Sequence, residues 1–139
     1  MILLDTNVLS ELMREAANER VLAWLSRQAS SSLFTTALSE AEVRLGLALL
    51  PAGKRRVGLE SAADGLFADF GSRVLPFDSD AAAAYAAIGA ARNKAGRPIS
   101  VIDAQIAAIA RTRGAALATR NVKDFAGCSI ILVDPWSAR

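Results

Sequence analysis

The sequence predicts an α/β protein whose central, mostly parallel sheet is covered by helices on both faces. Three observations predict it: five short apolar runs of strand length, amphipathic stretches of helical length between most of them, and Gly, Pro, Ser or Asp where one type gives way to the next. Strands that alternate with helices pair in parallel through right-handed crossovers, which lays helices on both sides of the sheet.

The first run, Ile2-Leu3-Leu4, is continuous rather than alternating, as expected of a strand buried on both faces, and it ends in Asp5. Asn18 opens a helix in which Val21, Leu22, Trp24 and Leu25 recur at helical spacing, closed by the serines at 30–32. Leu33 to Thr35 is the second strand. Ser39 starts a helix carrying Val43, Leu45, Leu47, Leu49 and Leu50 up to Pro51. A basic connection over 51–56, with Lys54-Arg55-Arg56 in a surface loop, leads to a helix over 57–70 that Gly71 ends. Val74 to Phe77 is the third strand. Asp78 or Ser79 caps an alanine-rich helix that runs to Ala95, and a further helix covers Val101 to Arg113 with Gly114 at its end. Ala115 to Ala118 and Ile130 to Val133 complete the sheet. Residues 1–139 read as one domain, long enough to bury a core without metal or disulfide support.

Composition removes whole classes of function. There is no histidine, so Ser-His-Asp triads, Cys-His pairs and histidine acid/base pairs are excluded, and any catalyst must work with carboxylates. Cys128, the single cysteine, can form neither an internal disulfide nor a zinc site. No apolar run approaches the roughly 18 residues needed to span a bilayer, and the N-terminus lacks a signal-peptide pattern. The expectation is a cytoplasmic protein with no membrane association. A net charge of +2, from 16 basic and 14 acidic residues, is mild. If several acids gather at one site, the remaining surface is more basic than that total implies, which favours a polyanionic partner.

Ligands of open parallel sheets bind outside the carboxyl ends of the strands, so acids there can converge. Asp5 ends the first strand, Glu42 follows the second, Asp124 lies beyond the fourth, and Asp103 begins the helix that feeds the fourth. Three of them share a capping pattern, Ser39-x-x-Glu42, Ser100-x-x-Asp103 and Asn121-x-x-Asp124, which by itself indicates only helix starts. Asp5 is different. An acid closing a buried strand needs compensation for lost hydration. Clustered carboxylates repel one another unless a cation sits among them, and oxygen-only ligands suit magnesium. Such an ion would polarise a phosphodiester and activate water, so a histidine-free protein could cleave RNA. Glu40 competes with Glu42, since two residues apart on a helix face different ways. Arg44, Arg92, Lys94, Arg97, Arg120 and Lys123 are candidates for phosphate contact. Trp24 and Trp136 are either base platforms or packing residues.

Four segments, in this order and spacing, resemble the PIN-domain family, and most closely its VapC/FitB-type toxins. They are Met1-Ile-Leu-Leu-Asp5-Thr6-Asn7, Thr36-Ala-Leu-Ser39-Glu-Ala-Glu42-Val-Arg-Leu-Gly46, Ile102-Asp103-Ala-Gln-Ile106-Ala-Ala, and Thr119-Arg-Asn121-Val-Lys-Asp124-Phe125. The resemblance covers nearly the whole chain. It implies a three-layer α/β/α fold with a five-stranded sheet, and Asp5, Glu42, Asp103 and Asp124 as catalytic, metal-binding acids. Glu42 is preferred to Glu40 for its distance from Gly46. Family members place the fourth acid where either Asn121 or Asp124 stands; Asp124 is chosen here. Thr6, Asn7, Ser39, Thr119 and Asn121 are expected to support the acids, with Arg44, Arg97 and Arg120 as weaker substrate contacts. The resemblance further implies a homodimer, magnesium or manganese, RNA cleavage that slows growth, and a small antitoxin through which the complex binds DNA. Two rival readings are a degenerate PIN fold kept as a binding module and a haloacid-dehalogenase-like phosphatase using Asp5; the latter wants a second aspartate where Asn7 stands.

Overall fold

A computed structural model describes residues 1–138. It is a three-layer α/β/α molecule built on five parallel strands, β1 (Ile2–Leu4), β2 (Leu33–Thr36), β3 (Val74–Leu75), β4 (Ala116–Ala118) and β5 (Leu132–Val133), in the order β3-β2-β1-β4-β5. The sheet is wholly rather than mostly parallel, with Ile2 opposite Leu33 on one side and Ala116 on the other.

Alternation along the strands divides the core in two. Leu3 and Leu117 point toward the layer made by α5 (Ser79–Lys94) and α6 (Val101–Arg113), where Ile88, Ile106, Ile109 and the alanines of α6 pack tightly. Leu4 and Ala118 point the other way, toward α1 (Thr6–Leu12), α2 (Glu19–Ser26), α3 (Ala37–Ala48) and α4 (Lys54–Phe70), whose contributions include Val8, Leu9, Val21, Trp24, Val43, Phe67 and Phe70. At the end of α6, Gly114 adopts φ +63, the left-handed turn that sends the chain straight into β4.

Several boundaries differ from the sequence expectations. The spacing of apolar residues predicts no helix between Asp5 and Asn18, yet α1 begins at Thr6 with Asp5 as its cap. Its low-propensity start, Thr-Asn-Val, hides an apolar face of Val8 and Leu9 that the sheet demands. Helix α3 is capped by Thr36, whose hydroxyl accepts from Ser39 N–H at 3.1 Å, so Ser39 is a buried residue inside the first turn and not the cap. Lys54-Arg55-Arg56 form the first turn of α4, not a loop. Arg56 pairs there with Glu60 at 3.1 Å. No helix among the described residues is long and apolar enough to cross a membrane.

Candidate active site

The strand order reverses beside β1: the chain steps outward through β2 and β3, then returns to the other flank of β1 with β4. Crossovers on the two sides diverge there and leave a crevice at the carboxyl ends. A cleft of about 520 Å³ occupies it, bordered by Asp5, Glu42 and Asp103 together with Asn7, Arg120 and Trp136.

Asp5 is its most constrained member. It is 4% exposed, and its backbone N–H extends the β1–β4 ladder by donating to Ala118 O at 2.9 Å. Its carboxylate accepts from Thr6 N–H at 2.8 Å and from the Thr119 hydroxyl at 2.7 Å, with the Asn7 amide at 3.4 Å. Asn7 Oδ1 accepts from Arg120 N–H, and the Thr119 hydroxyl oxygen from Asn121 N–H, so the segment after β4 is tied to the segment after β1. Burial pushes the Asp5 carboxyl above its ordinary range. The Thr119 hydroxyl and Thr6 N–H pull it back, while Asp103 and Glu42 push it further up.

Glu42 reaches the cleft from α3 and accepts from the Thr6 hydroxyl at 2.6 Å. Glu40 lies outside the cleft wall and pairs with Arg44 at 2.8 Å. Asp103 sits in the first turn of α6, capped by Ser100. Its carboxyl is raised by burial, lowered by the Ser100 hydroxyl, raised by the charges of Asp124 and Glu42, and lowered by Arg92. Asp124 is exposed on a short 3-10 turn, Val122–Phe125, outside the wall of the cleft; Asn121 is on the wall.

The proposed phosphate contacts separate. Arg120 lines the cleft. Arg44 is held against α4 by Asp64 at 2.8 Å and stacks over Phe67 at 5.2 Å, and Arg97 is exposed outside the cleft. Arg92 is no surface cation: only 7% exposed, it donates to the carbonyls of Arg97, Asp124 and Ala126 at 2.6–2.9 Å, bracing the turn that carries Asp124. Sequence reasoning missed Ser10, Glu11 and Arg14, which line the cleft. Glu11 is 5% exposed and pairs with Arg14 at 3.2 Å. The signal is a short one: Asn7, Ser10 and Glu11 fall at i, i+3, i+4 spacing on α1, and Arg14 follows two residues past its end.

The donors facing the cleft are carboxylates, hydroxyls and amides, with neither imidazole nor thiolate, a set suited to a hard cation. Among the described residues no three acids are drawn together closely enough to form a ready-made cage. Magnesium does not require such a cage, since it keeps several waters and is typically held by one or two carboxylates with substrate phosphate oxygens. The raised Asp5 and Asp103 carboxyls point the same way, since a cation would relieve both burial and mutual repulsion.

Comparison with known proteins agrees with this architecture. The chain is 40% identical over 137 residues to the VapC ribonuclease Y4jK of Sinorhizobium fredii, covering 98% of each chain. It is 40% identical to the toxin FitB of Neisseria gonorrhoeae, covering 98% of this chain and 99% of the relative. The structure of FitAB bound to an IR36 DNA fragment superposes with a TM-score of 0.94 at 38% identity, over 100% of this chain and 98% of that one. With residues 2–126 matching the PIN domain as well, the chain belongs to the PIN-domain family.

Proposed function

We propose that this chain is a divalent-metal-dependent endoribonuclease and the toxin of a toxin–antitoxin pair. The observation that carries the reading is the placement of Asp5 beside Glu42 and Asp103 in one cleft at the switch point of the sheet. Relatives named as a VapC ribonuclease and a FitB toxin, alike over almost the full chain, support it.

Asp5, Glu42, Asp103 and Asp124, with Asn121 as the alternative fourth, would hold magnesium, or manganese, one or two of them directly and the others through its waters. Once bound, the metal would lower the pKa of an attacking water and stabilise charge on the phosphodiester. The chain's own residues prepare the site. Thr119 and Thr6 fix the Asp5 carboxylate, and the Thr6 hydroxyl fixes Glu42 by donating to it, so both acids are oriented before substrate arrives. Arg120 brings positive charge to a rim that also carries the acids Asp5, Glu11, Glu42 and Asp103. In cleavage, water oxygen bonds to phosphorus, one P–O bond of the backbone breaks, and the leaving oxygen takes a proton. FitAB was solved on DNA, which supports a small antitoxin as partner; DNA would then be reached through that partner. We propose a homodimer of single-domain, cytoplasmic subunits.

The test is cleavage of single-stranded RNA by purified protein with magnesium, with EDTA, and with Asp5→Asn. Cleavage that needs the metal and is lost in the variant supports the reading. Undiminished cleavage in EDTA would overturn it.

A further inference from the structure

We propose that Arg120 and Trp136 form a stacking platform for one unpaired base of the RNA, beside the phosphodiester on which the carboxylates act. This deepens the nuclease reading and rests on it. The guanidinium of Arg120 lies over the Trp136 ring at 5.1 Å, and both side chains border the cleft that holds Asp5, Glu42 and Asp103. A guanidinium over an indole ring offers a base two groups to stack on, since bases stack on aromatic rings and on arginine planes alike.

Both halves of the platform are pinned by the backbone. Arg120 N–H donates to Asn7 Oδ1 at 3.2 Å, and the preceding residue, Thr119, donates its hydroxyl to Asp5. Trp136 N–H donates to Asp134 Oδ1 at 2.9 Å, closing a turn around the buried Pro135. The distance from platform to Asp5 is therefore set by the fold. Charge singles out Arg120 as well. Arg14, the other cation of the cleft, is paired with Glu11, whereas among the described residues Arg120 meets no carboxylate. Its guanidinium can serve a base and an adjacent phosphate together. Bases of a duplex are stacked on each other and unavailable, so the platform selects single strands and tolerates many sequences.

Trp136 also packs against the core beneath α1–α4, so the test must separate stacking from filling. Trp136→Leu keeps apolar bulk without a π-face; Trp136→Phe keeps the π-face. On a short single-stranded oligoribonucleotide with magnesium, Trp136→Leu should raise KM about 10-fold with kcat retained, and Trp136→Phe should recover most of the loss. An abasic sugar beside the cleaved bond should raise the wild-type KM similarly and add little in Trp136→Leu. Equal KM for the Leu and Phe variants, or an abasic effect undiminished in Trp136→Leu, would overturn the platform while cleavage itself continued. Should the wild type cleave nothing, the nuclease reading fails separately, and indole fluorescence in EDTA decides the platform. Trp24 is buried and supplies a constant background. Quenching by the oligonucleotide, weaker with its fully abasic counterpart and absent in Trp136→Phe, supports stacking; equal quenching by inorganic polyphosphate overturns it.

Discussion

Asp5 follows β1 and caps α1, and Asp78 follows β3 and caps α5. Each carboxylate accepts from a backbone N–H of the first turn, Thr6 at 2.8 Å for Asp5 and Ala81 at 3.0 Å for Asp78. What differs is the position of the strand. β1 is central, so the end of β4 and the starts of α3 and α6 close around Asp5, leaving it 4% exposed. β3 is an edge, and the Asp78 side chain stays 43% exposed, with Arg113 at 3.9 Å its ionic partner. The same local device is a helix cap at the edge and a candidate catalytic acid at the centre, so sheet topology, rather than the cap, makes the site.

The largest expected effect comes from Asp5→Asn. Asparagine caps helices as well as aspartate does, and it relieves a buried charge, so the variant should fold with unchanged or higher stability. RNA cleavage should fall by on the order of 100-fold or more, comparable to deleting a preorganised charge-stabilising group. Next in size is Thr119→Val, which removes the 2.7 Å hydrogen bond to Asp5 without changing the side chain's shape. Loss of such a ligand-orienting partner costs about 10- to 100-fold in metal affinity or activity. Calorimetric titration of manganese would measure the first and single-turnover cleavage the second; wild-type values in both would detach Thr119 from the site.

A smaller effect follows from protonation. Asp5 and Asp103 are both raised above the carboxylate value of 3.8. Between that value and the raised folded ones, the folded chain holds protons that the unfolded chain has released. Their stabilising contribution is therefore full below the unfolded value and is lost as pH rises through the folded ones. In EDTA, the urea midpoint should fall across that interval, and Asp5→Asn should flatten the fall. Magnesium should restore stability on the alkaline side; a midpoint rising with pH through the interval would contradict the assigned burial.

Much of this is legible in the sequence. Apolar runs predicted the strands, alanine content predicted α5, and helical spacing predicted α2; in α6, Ile106, Ala107 and Ile109 are spaced by the geometry that buries them. The acids were legible as strand-end and helix-start residues. Helix α1 was not, because its seven residues are held by Asp5 and by the sheet more than by their own propensity. With α1 unseen, Glu11 had no face to belong to. Arg92 was misread for a related reason: nothing local distinguishes a solvated arginine from one whose partners are carbonyls more than thirty residues away, at Asp124 and Ala126.

The smallest effect is the one that closes the comparison. Asp78→Ala removes the cap of α5 and its distant pairing with Arg113, at a cost of about 1 kcal/mol for the cap. The exposed pair adds little, since ions in water at that separation are well screened. For a domain of this size the melting temperature should drop by about 4 °C. Cleavage at a temperature well below melting should be unchanged, because α5 borders the opposite face of the sheet from α1 and contributes no side chain to the cleft. Asp78→Asn should recover most of the lost stability, since the amide caps equally well. If Asp78→Ala instead cut cleavage as deeply as Asp5→Asn, the edge and the centre of the sheet would be functionally equivalent. The carboxylate at the switch point would then hold no privilege over any other helix cap.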